Sequence, residues 1–379
     1  MINKNKNKNN FKIIFITTSL GLGGAEKILY EIIKIFKSKD ILVISLGDID
    51  FFSKKLNNLG IKVEYLKLNN NLFLLKKLFR LINILNQNNA EIIHTWLYKA
   101  NIYGGIAAKF SGNRNIYWSI HHDLENEQKS FLRYLFMLTL SFSSYLIPKK
   151  IIYCSESSAL NHKNFGFNSK SSIVINNGID VSNFRKDNSI YNEYRNHRFN
   201  ISNDTFLIGN IGRYHPIKDH KTLLKALSIL KGKNIKFKCV LAGEDLDQKN
   251  KYLSAQISEL KLENNIFLMG KVENIKNVLC SLDLLVISSL SECSPIILLE
   301  AISSEVLCIS SNVGSIKNIL QKYEFIFKKG DYQELAKKII FLMENRNKFD
   351  LNLKDYKNII LNKYSLKRML NEYWRIYNL

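Results

Sequence analysis

Short apolar segments alternate with longer amphipathic segments along almost the whole chain. This alternation predicts parallel β-sheets covered by helices, rather than a β-sandwich or a helical bundle. At 379 residues the chain exceeds what one hydrophobic core usually supports, and 46% hydrophobic residues are enough to fill two cores. The sequence therefore predicts an α/β protein with two domains.

The predicted strands form two groups. The first group comprises residues 11–18, 41–46, 61–66, 91–95, 115–120, 150–155 and 173–176, and the second comprises residues 206–211, 236–241, 265–269 and 283–287. Between them the sequence becomes polar and irregular, which is typical of a domain boundary. We therefore predict a first domain over 1–185, a connecting segment over 186–203 and a second domain over 204–364.

Net charge and cysteine usage limit the partners and the compartment. The chain has 55 Lys and Arg against 33 Asp and Glu, and the resulting net charge of +22 attracts acidic partners. No nucleic-acid-binding motif is present, so we predict no nucleic-acid partner.

Five widely spaced cysteines without a Cys-x-x-Cys pair fit a reducing cytoplasm and disfavour a zinc site. Residues 1–10 lack an apolar core, which predicts a disordered tail rather than a signal peptide.

A glycine-rich turn follows the first predicted strand. Gly23 and Gly24 would let the backbone approach a ligand, and the helix that follows presents N-terminal amides that favour anions. This turn could hold a phosphate, or it could be a tight turn without a ligand. A dinucleotide-binding fingerprint would have Gly where Glu26 stands, so the sequence argues against NAD.

A basic loop follows the first strand of the second group. Arg213 and Lys218 lie in this loop, ahead of a helix for which Asp219 is the predicted N-cap. A guanidinium fork, a mobile ammonium group and helix amides together suit a diphosphate. The alternative is a solvated basic loop without a ligand.

Two carboxylates, Glu292 and Glu300, stand eight residues apart around a loop-to-helix junction at Pro295. Both could face one cleft, and together with the basic loop they point to a sugar nucleotide. The spacing alone also occurs by chance, so a loop carboxylate with an ordinary surface Glu is the alternative.

No metal site is predicted. The short Asp-x-Asp patterns at 48–50 and 245–247 match metal-dependent transferases but recur by chance, and loop carboxylates are the simpler interpretation. His94 lies near the end of one predicted strand, and His121 and His122 follow another, at the sheet edge where ligands collect. They lack metal-ligand spacing, and structural hydrogen bonding is as good an explanation for each.

A series of short motifs has the order and spacing of one enzyme family: 23–26, 94–95, 177–180, 212–213 with Lys218, 242–244, Gly270 and 292–300. In this respect the chain resembles the retaining glycosyltransferases of family 4, the group 1 type. The resemblance covers nearly the whole chain. It implies two facing Rossmann-like domains, the GT-B arrangement, with the active site in the interdomain cleft. It also implies that a final helix, about 365–379, packs back on the first domain.

The resemblance also implies roles for individual residues. Arg213 and Lys218 would contact the donor diphosphate, Glu292 the transferred sugar and Glu300 the ribose hydroxyls. His121, with His122 as the alternative, would contact the donor sugar. The predicted catalytic residues are Arg213, Lys218, Glu292 and His121, and the predicted donor-binding residues are Gly23, Gly24, Arg213, Lys218, Gly243, Glu292, Ser294, Ile296, Ile297 and Glu300.

The implied reaction is transfer of a hexose-type sugar from a nucleotide-diphosphate donor, foremost a UDP-sugar, to a glycan or lipid-linked acceptor. The first domain would be the acceptor side, and the pathway would be bacterial capsule, O-antigen or lipopolysaccharide synthesis. No cofactor and no metal would be required, because preorganised cations can stabilise the departing diphosphate. Alternatives are a nucleotide-sugar epimerase or a pyridoxal-phosphate phosphorylase of the same fold, and a non-catalytic membrane-associated scaffold.

Two apolar segments, 72–85 and 131–147, are too short or too charged to span a bilayer. Each could be an amphipathic helix that covers its own sheet. Each could instead bind an anionic membrane surface, because apolar insertion and basic attraction add. The sequence therefore leaves open whether this cytoplasmic protein is peripheral on the inner face of the cell membrane.

Overall fold

The computed structural model describes residues 9–67, 74–124, 130–202, 204–320, 323–350 and 353–377. The chain divides into two compact units. One contains the described residues up to Asn177 and from Met369 onward, and the other runs from Gly178 to Arg368. Most of the predicted tail lies outside the described residues, but Asn9 and Asn10 already belong to the first strand.

The first unit is a seven-stranded parallel sheet with helices on both faces. Its strands are β1 (Asn9–Thr17), β2 (Ile41–Ser45), β3 (Lys62–Tyr65), β4 (Asn88–Trp96), β5 (Ile116–Ile120), β6 (Lys150–Tyr153) and β7 (Ser172–Val174). Its helices are α1 (Gly24–Ile33), α2 (Phe51–Asn58), α3 (Leu74–Gln87), α4 (Tyr98–Phe110), α5 (Phe131–Ser143) and α6 (Glu156–Phe165). The strand order is β3-β2-β1-β4-β5-β6-β7.

This strand order determines which face each helix covers. The chain moves from β1 outward to β3, then returns to β4 and moves in the opposite direction. Because crossovers between parallel strands are right-handed, α1 and α2 cover one face of the sheet while α3, α4 and α5 cover the other. Strands β2 and β5 are buried along their whole length, as their largely apolar sequences require.

The second unit repeats this architecture with six parallel strands. They are β8 (Phe206–Ile211), β9 (Phe237–Ala242), β10 (Ile266–Gly270), β11 (Leu284–Ile287), β12 (Leu307–Ser311) and β13 (Ile326–Phe327), in the order β10-β9-β8-β11-β12-β13. Its helices are α7 (Asn188–Glu193), α8 (His220–Gly232), α9 (Lys251–Glu259), α10 (Ile275–Ser281), α11 (Ile296–Ser303), α12 (Ile316–Leu320), α13 (Tyr332–Glu344), α14 (Arg346–Asp350) and α15 (Leu353–Lys363). A last helix, α16 (Leu366–Tyr377), begins in the second unit and continues into the first. The prediction of two Rossmann-like α/β domains is confirmed.

The last helix ends within the first unit. Tyr373 and Tyr377 of α16 are buried, and the Tyr377 hydroxyl hydrogen-bonds Nδ1 of His94 on β4. The Trp374 ring stacks on Phe36, with 5.7 Å between the ring centroids. Residues 369–377 therefore complete the aromatic core beneath the first sheet.

Residues 186–203, predicted to connect the domains, instead fold as part of the second unit. They contain α7 and a π-helical turn over Tyr194–Arg198. Arg195, which is fully buried, donates from Nη1 to Oδ2 of Asp283 at 2.8 Å and from Nη2 to the Thr205 carbonyl. Arg346 pairs with the other Asp283 oxygen at 2.7 Å. A buried charge persists only with such partners, so this network fixes the segment against the start of β11.

All five cysteines lie within the described residues, where they are buried and form no disulfide. Burial raises the pKa of the Cys239 and Cys308 thiols far above the usual range. They therefore pack as small apolar side chains.

The buried network leads to a stability prediction. Arg195→Met leaves the Asp283 carboxylate buried with one cation fewer, and should lower the free energy of unfolding by about 3 to 5 kcal/mol in urea titrations. Lys236→Met is the matched control, because the Lys236–Asp204 pair is largely exposed, and should cause no measurable change. Equal effects of the two substitutions would contradict the assignment of the network as the anchor of residues 186–203.

Candidate active site

The carboxyl ends of the two central strands of the second sheet bring a cation and a carboxylate together. Lys218 follows β8 and Glu292 follows β11, and these strands are neighbours in the sheet. Lys218 Nζ lies 2.6 Å from Glu292 Oε1, and Ser289 Oγ donates to the same oxygen at 2.7 Å. Within the described part of the chain no donor contacts Oε2 of Glu292. That oxygen can therefore accept a hydrogen bond from a sugar hydroxyl.

Two hydrogen bonds to backbone carbonyls hold the two loops at a fixed separation. The Leu290 N–H donates to the Ile217 carbonyl at 2.8 Å, and Ser288 Oγ donates to the Lys218 carbonyl at 2.9 Å. Asp219 caps α8, as predicted, by accepting from the Thr222 N–H. The ion pair is therefore held in place by the backbone on both sides, which is a condition for preorganised electrostatics.

Arg213 lies in the same loop, and its side chain is exposed. Among the residues that the structure describes, no carboxylate pairs with its guanidinium, so its donors remain available for an anion. Its backbone is fixed through the neighbouring Gly212, whose N–H donates to the Ala242 carbonyl at 2.9 Å. Gly243 has a φ of +154°, and a Cβ there would lie 1.9 Å from the Gly212 carbonyl oxygen. Only glycine permits this close approach of two strand ends.

The loop before α11 is restrained in a similar way. Ser315 Oγ donates to the Cys293 carbonyl at 2.8 Å. Gly314, with a φ of +53°, packs so closely that a Cβ would lie 1.7 Å from the Glu292 carbonyl oxygen. This contact fixes the backbone at Glu292 from a separate loop.

The remaining predicted donor-binding residues lie at the start of α11. Ser294 and Ile296 are buried, Ile297 is partly buried, and Glu300 on the second turn is 3% exposed. Pro295 occupies the N-cap position of the helix rather than its first turn. Glu292 is thus a loop residue and Glu300 a helical one, as the sequence predicted, and their roles toward a donor stay predictions.

A carboxylate of the same chain, that of Glu26, already contacts the glycine-rich turn of the first unit. Glu26 folds back over the turn: Ser19 Oγ donates to its Oε1 at 2.7 Å, and a Cβ on Gly23 would lie 2.3 Å from its Oε2. This carboxylate lies at the N-terminus of α1, where an acidic side chain is favourable. A phosphate bound at Gly23 or Gly24 would encounter it, which sequence reasoning did not anticipate.

His121 follows β5 and stacks on the Trp96 indole, with 4.3 Å between ring centroids. Both of its ring nitrogens are buried and lack a hydrogen-bond partner among the described residues. Burial, aided by the charge of His122, lowers the pKa of His121 to about 3. Its ring is therefore neutral at physiological pH and can both donate and accept a hydrogen bond to a hydroxyl.

The other two histidines noted in the sequence differ from His121. His94 is fully buried and hydrogen-bonded to Ser119 Oγ at 2.8 Å as well as to Tyr377, which makes it structural. His122 is exposed. The Asp-x-Asp carboxylates lie in loops: Asp50 caps α2, and Asp247 accepts from the Lys249 N–H. No group of three or more His, Cys, Asp or Glu in the described ranges has the geometry of a metal site.

Comparison with solved structures establishes the class to which this fold belongs. The crystal structure of Anabaena HepE in complex with UDP-glucose superposes with a TM-score of 0.86 at 22% identity, over 97% of this chain and 100% of HepE. The protein thus has the GT-B fold of glycosyltransferases.

Family comparison identifies the group. The model of Glycosyltransferase Family 4 matches residues 22–183, and that of Glycosyl transferases group 1 matches residues 193–362. The chain belongs to the group 1 glycosyltransferases of GT-B fold. The resemblance on which the sequence prediction depended is confirmed.

Two curated relatives illustrate the range of similarity. The UDP-Gal:alpha-D-GlcNAc-diphosphoundecaprenol alpha-1,3-galactosyltransferase of Escherichia coli is 23% identical over 312 residues, which is 80% of this chain and 79% of that enzyme. The putative glycosyltransferase EpsF of Bacillus subtilis is 32% identical over 143 residues, 37% of this chain and 35% of EpsF. The chain therefore matches about a third of EpsF.

The buried histidines give the protein a predicted pH dependence. The pKa of His94 and His121 is lowered to about 3 and that of His162 to about 4, chiefly by burial. The unfolded chain binds protons below about pH 6.5 that the folded chain does not, so acidification destabilises the fold. Each such histidine should contribute up to about 1.4 kcal/mol per pH unit.

The melting temperature should therefore fall steadily between about pH 7 and about pH 5, above the range where most carboxylates titrate. His121→Asn should reduce this slope, and His197→Gln, at an exposed histidine, should leave it unchanged. A melting temperature independent of pH across this window would show that these histidines are not held neutral.

Proposed function

We propose that the protein is a retaining hexosyltransferase that moves a sugar from a UDP-sugar to a lipid-linked acceptor in bacterial surface polysaccharide synthesis. The Escherichia coli relative supports this proposal, because its name specifies a UDP-sugar donor and a diphosphoundecaprenol-linked acceptor. The crystallisation of HepE with UDP-glucose supports the choice of UDP.

The observation that carries the proposal is the Lys218–Glu292 ion pair with the exposed Arg213 in the same loop. An ion pair at the carboxyl ends of adjacent parallel strands occupies the usual ligand-binding edge of an open α/β sheet. Arg213 contributes a positive charge that no described carboxylate neutralises. This loop therefore suits an anion that also carries hydroxyl groups, which describes a nucleotide-diphosphate sugar.

The chemistry follows from the charges. As the bond between the anomeric carbon and the diphosphate breaks, negative charge develops on the departing phosphate oxygen, and Arg213 and Lys218 stabilise it. The acceptor hydroxyl oxygen bonds to the anomeric carbon on the same face, and its proton passes to the leaving phosphate oxygen. UDP and the lengthened glycan are the products, and no separate general base is required.

The carboxylates have a different task. Glu292 keeps the Lys218 ammonium group in a fixed position, and its second oxygen accepts a hydrogen bond from a hydroxyl of the transferred sugar. Glu300 accepts from the ribose hydroxyls, since a carboxylate is a stronger acceptor than an amide. In the first unit the neutral His121 ring hydrogen-bonds a sugar hydroxyl.

A transfer assay tests this proposal. The purified protein is screened by thermal shift against UDP-, GDP-, ADP- and CMP-sugars, and the stabilising donor is then incubated with a diphosphoundecaprenol-linked sugar. We expect acceptor-dependent UDP release, a product with the anomeric configuration of the donor, and an unchanged rate in excess EDTA. Conversion of the donor without acceptor would indicate an epimerase, and donor binding without turnover would indicate a scaffold. A pyridoxal-phosphate absorbance band would indicate a phosphorylase.

Replacing the exposed guanidinium tests the diphosphate assignment. Arg213→Ala should lower turnover by roughly 10² to 10³, as for removing one preorganised donor, while the fold is retained. Arg198→Ala removes an exposed guanidinium elsewhere in the same unit and should leave turnover unchanged. If a folded Arg213→Ala protein turns over at the parental rate, Arg213 does not contact the leaving group.

A further inference from the structure

Helix α5 exposes a continuous row of large apolar side chains. Phe131, Leu132, Leu135, Leu138 and Phe142 are 75%, 75%, 42%, 40% and 69% exposed, and we refer to these five residues as the apolar patch. Four of them follow the spacing i, i+4, i+7 and i+11, so they share one face of the helix. A soluble helix usually carries polar residues on such a face.

The opposite face of α5 already covers the sheet. Met137 and Leu140 are fully buried in the core of the first unit. One side of α5 therefore packs in the core of the first unit, and the apolar patch on its other side is not needed to cover the sheet. Contiguous exposed apolar patches of this kind are uncommon on soluble monomers and usually mark an interaction surface.

The charge of the surrounding surface indicates what covers the patch. The sequences of α3, α4 and α5 contain no Asp or Glu. Their basic residues are Lys76, Lys77, Arg80, Lys99, Lys109 and Arg133. These three helices lie together on one face of the first sheet, so the helical residues of this face combine apolar and positive side chains with no acidic side chain among them.

Helix α3 shows the same combination. Leu75 and Phe79, four residues apart, are 73% and 65% exposed, and Lys76 and Arg80 beside them are also exposed. Lys77 is partly buried, and its ammonium group donates to the Lys67 carbonyl. Leu75 and Phe79 therefore point outward together with the two cations, in the arrangement of a helix that lies in a membrane interface.

We propose that the face formed by α3, α4 and α5 docks on an anionic lipid bilayer, with the apolar patch inserted below the headgroups. A bilayer supplies both an apolar interior and negative headgroups, which match the two properties of this face. A second copy of the chain would bring two positive surfaces together, and its charge would oppose the contact. No helix among the described residues is both long and apolar enough to cross a membrane, so the contact is peripheral.

The topology relates the proposed docking face to the edge of the first sheet at which the Gly23 turn and His121 lie. Helices α3 and α5 both begin at the carboxyl edge of the first sheet, because each follows a parallel strand. The Gly23 turn and His121 lie at the same edge. A bilayer against this face would hold that edge of the first unit close to the headgroups, where a lipid-linked acceptor presents its sugar. Docking itself depends neither on the donor nor on turnover.

Vesicle flotation measures the docking directly. We expect the full-length protein to float with vesicles of phosphatidylcholine and phosphatidylglycerol at low salt, and to remain unbound with phosphatidylcholine alone. Moderate salt should weaken the binding through screening. Equal binding to both vesicles, or no binding to the anionic ones at low salt, would overturn the proposal.

The apolar contribution is tested with Leu135→Ser and Phe142→Ser combined. Removing two inserted side chains should lower the vesicle partition coefficient at least about tenfold. Tyr252→Ser with Leu361→Ser is the matched control, because these exposed residues belong to the second unit, and should bind like the parent. Melting curves check that both variants fold. Parental binding by the folded patch variant would refute insertion.

The charge contribution is tested with Lys76→Glu and Arg80→Glu combined, which should lower partitioning at least about tenfold. The control Lys233→Glu with Lys249→Glu makes the same net charge change on the second unit and should have a much smaller effect. Equal losses in the two variants would show that only net charge matters.

Light scattering without lipid tests whether a second copy of the chain covers the patch. A monomer supports the proposal. A dimer that is dissociated by Leu135→Ser combined with Phe142→Ser would identify a second copy as the occupant instead.

Discussion

Parallel strands impose one requirement on which the rest of this structure depends. Each strand must be followed by a crossover that returns along the outside of the sheet, so every loop after a strand emerges at the same edge. In the second unit this places the loops after β8 and β11 beside each other, although Lys218 and Glu292 are 74 residues apart in sequence. The candidate active site is therefore a consequence of strand order. Close backbone contacts at Gly243 and Gly314 then fix the position of each loop.

The strand pattern could be predicted from sequence because buried parallel strands have continuous apolar segments. The eleven predicted strands all occur, with small shifts at their ends. Strand β12 was missed because three of its five residues, Cys308, Ser310 and Ser311, are small or polar, and β13 because it has only two residues. Short strands carry too little periodicity to separate from loops.

Other features depended on partners distant in sequence. Residues 186–203 have the polar composition of a linker, but the burial of Arg195 depends on Asp283, 88 positions later. The spacing of Arg213, Lys218 and Glu292 predicted a basic loop and a carboxylate loop, whereas the contact of 2.6 Å between Lys218 and Glu292 required the fold. Periodicity likewise indicated that α5 is apolar but could not show which of its side chains face outward. Nor could it show that Glu26 folds over its own helix end, because that position depends on a hydrogen bond from Ser19, seven residues earlier.

The burial of every native cysteine has a practical consequence. The thiolate is the reactive form, and burial both raises the pKa of Cys239 and Cys308 and excludes reagents. A single cysteine introduced on the surface would therefore be the only readily alkylated thiol of the native protein. Spin labels or environment-sensitive fluorophores could be attached at one chosen position without first removing any native cysteine. The depth of individual helix positions relative to a lipid headgroup layer would then be measurable on an otherwise unaltered chain.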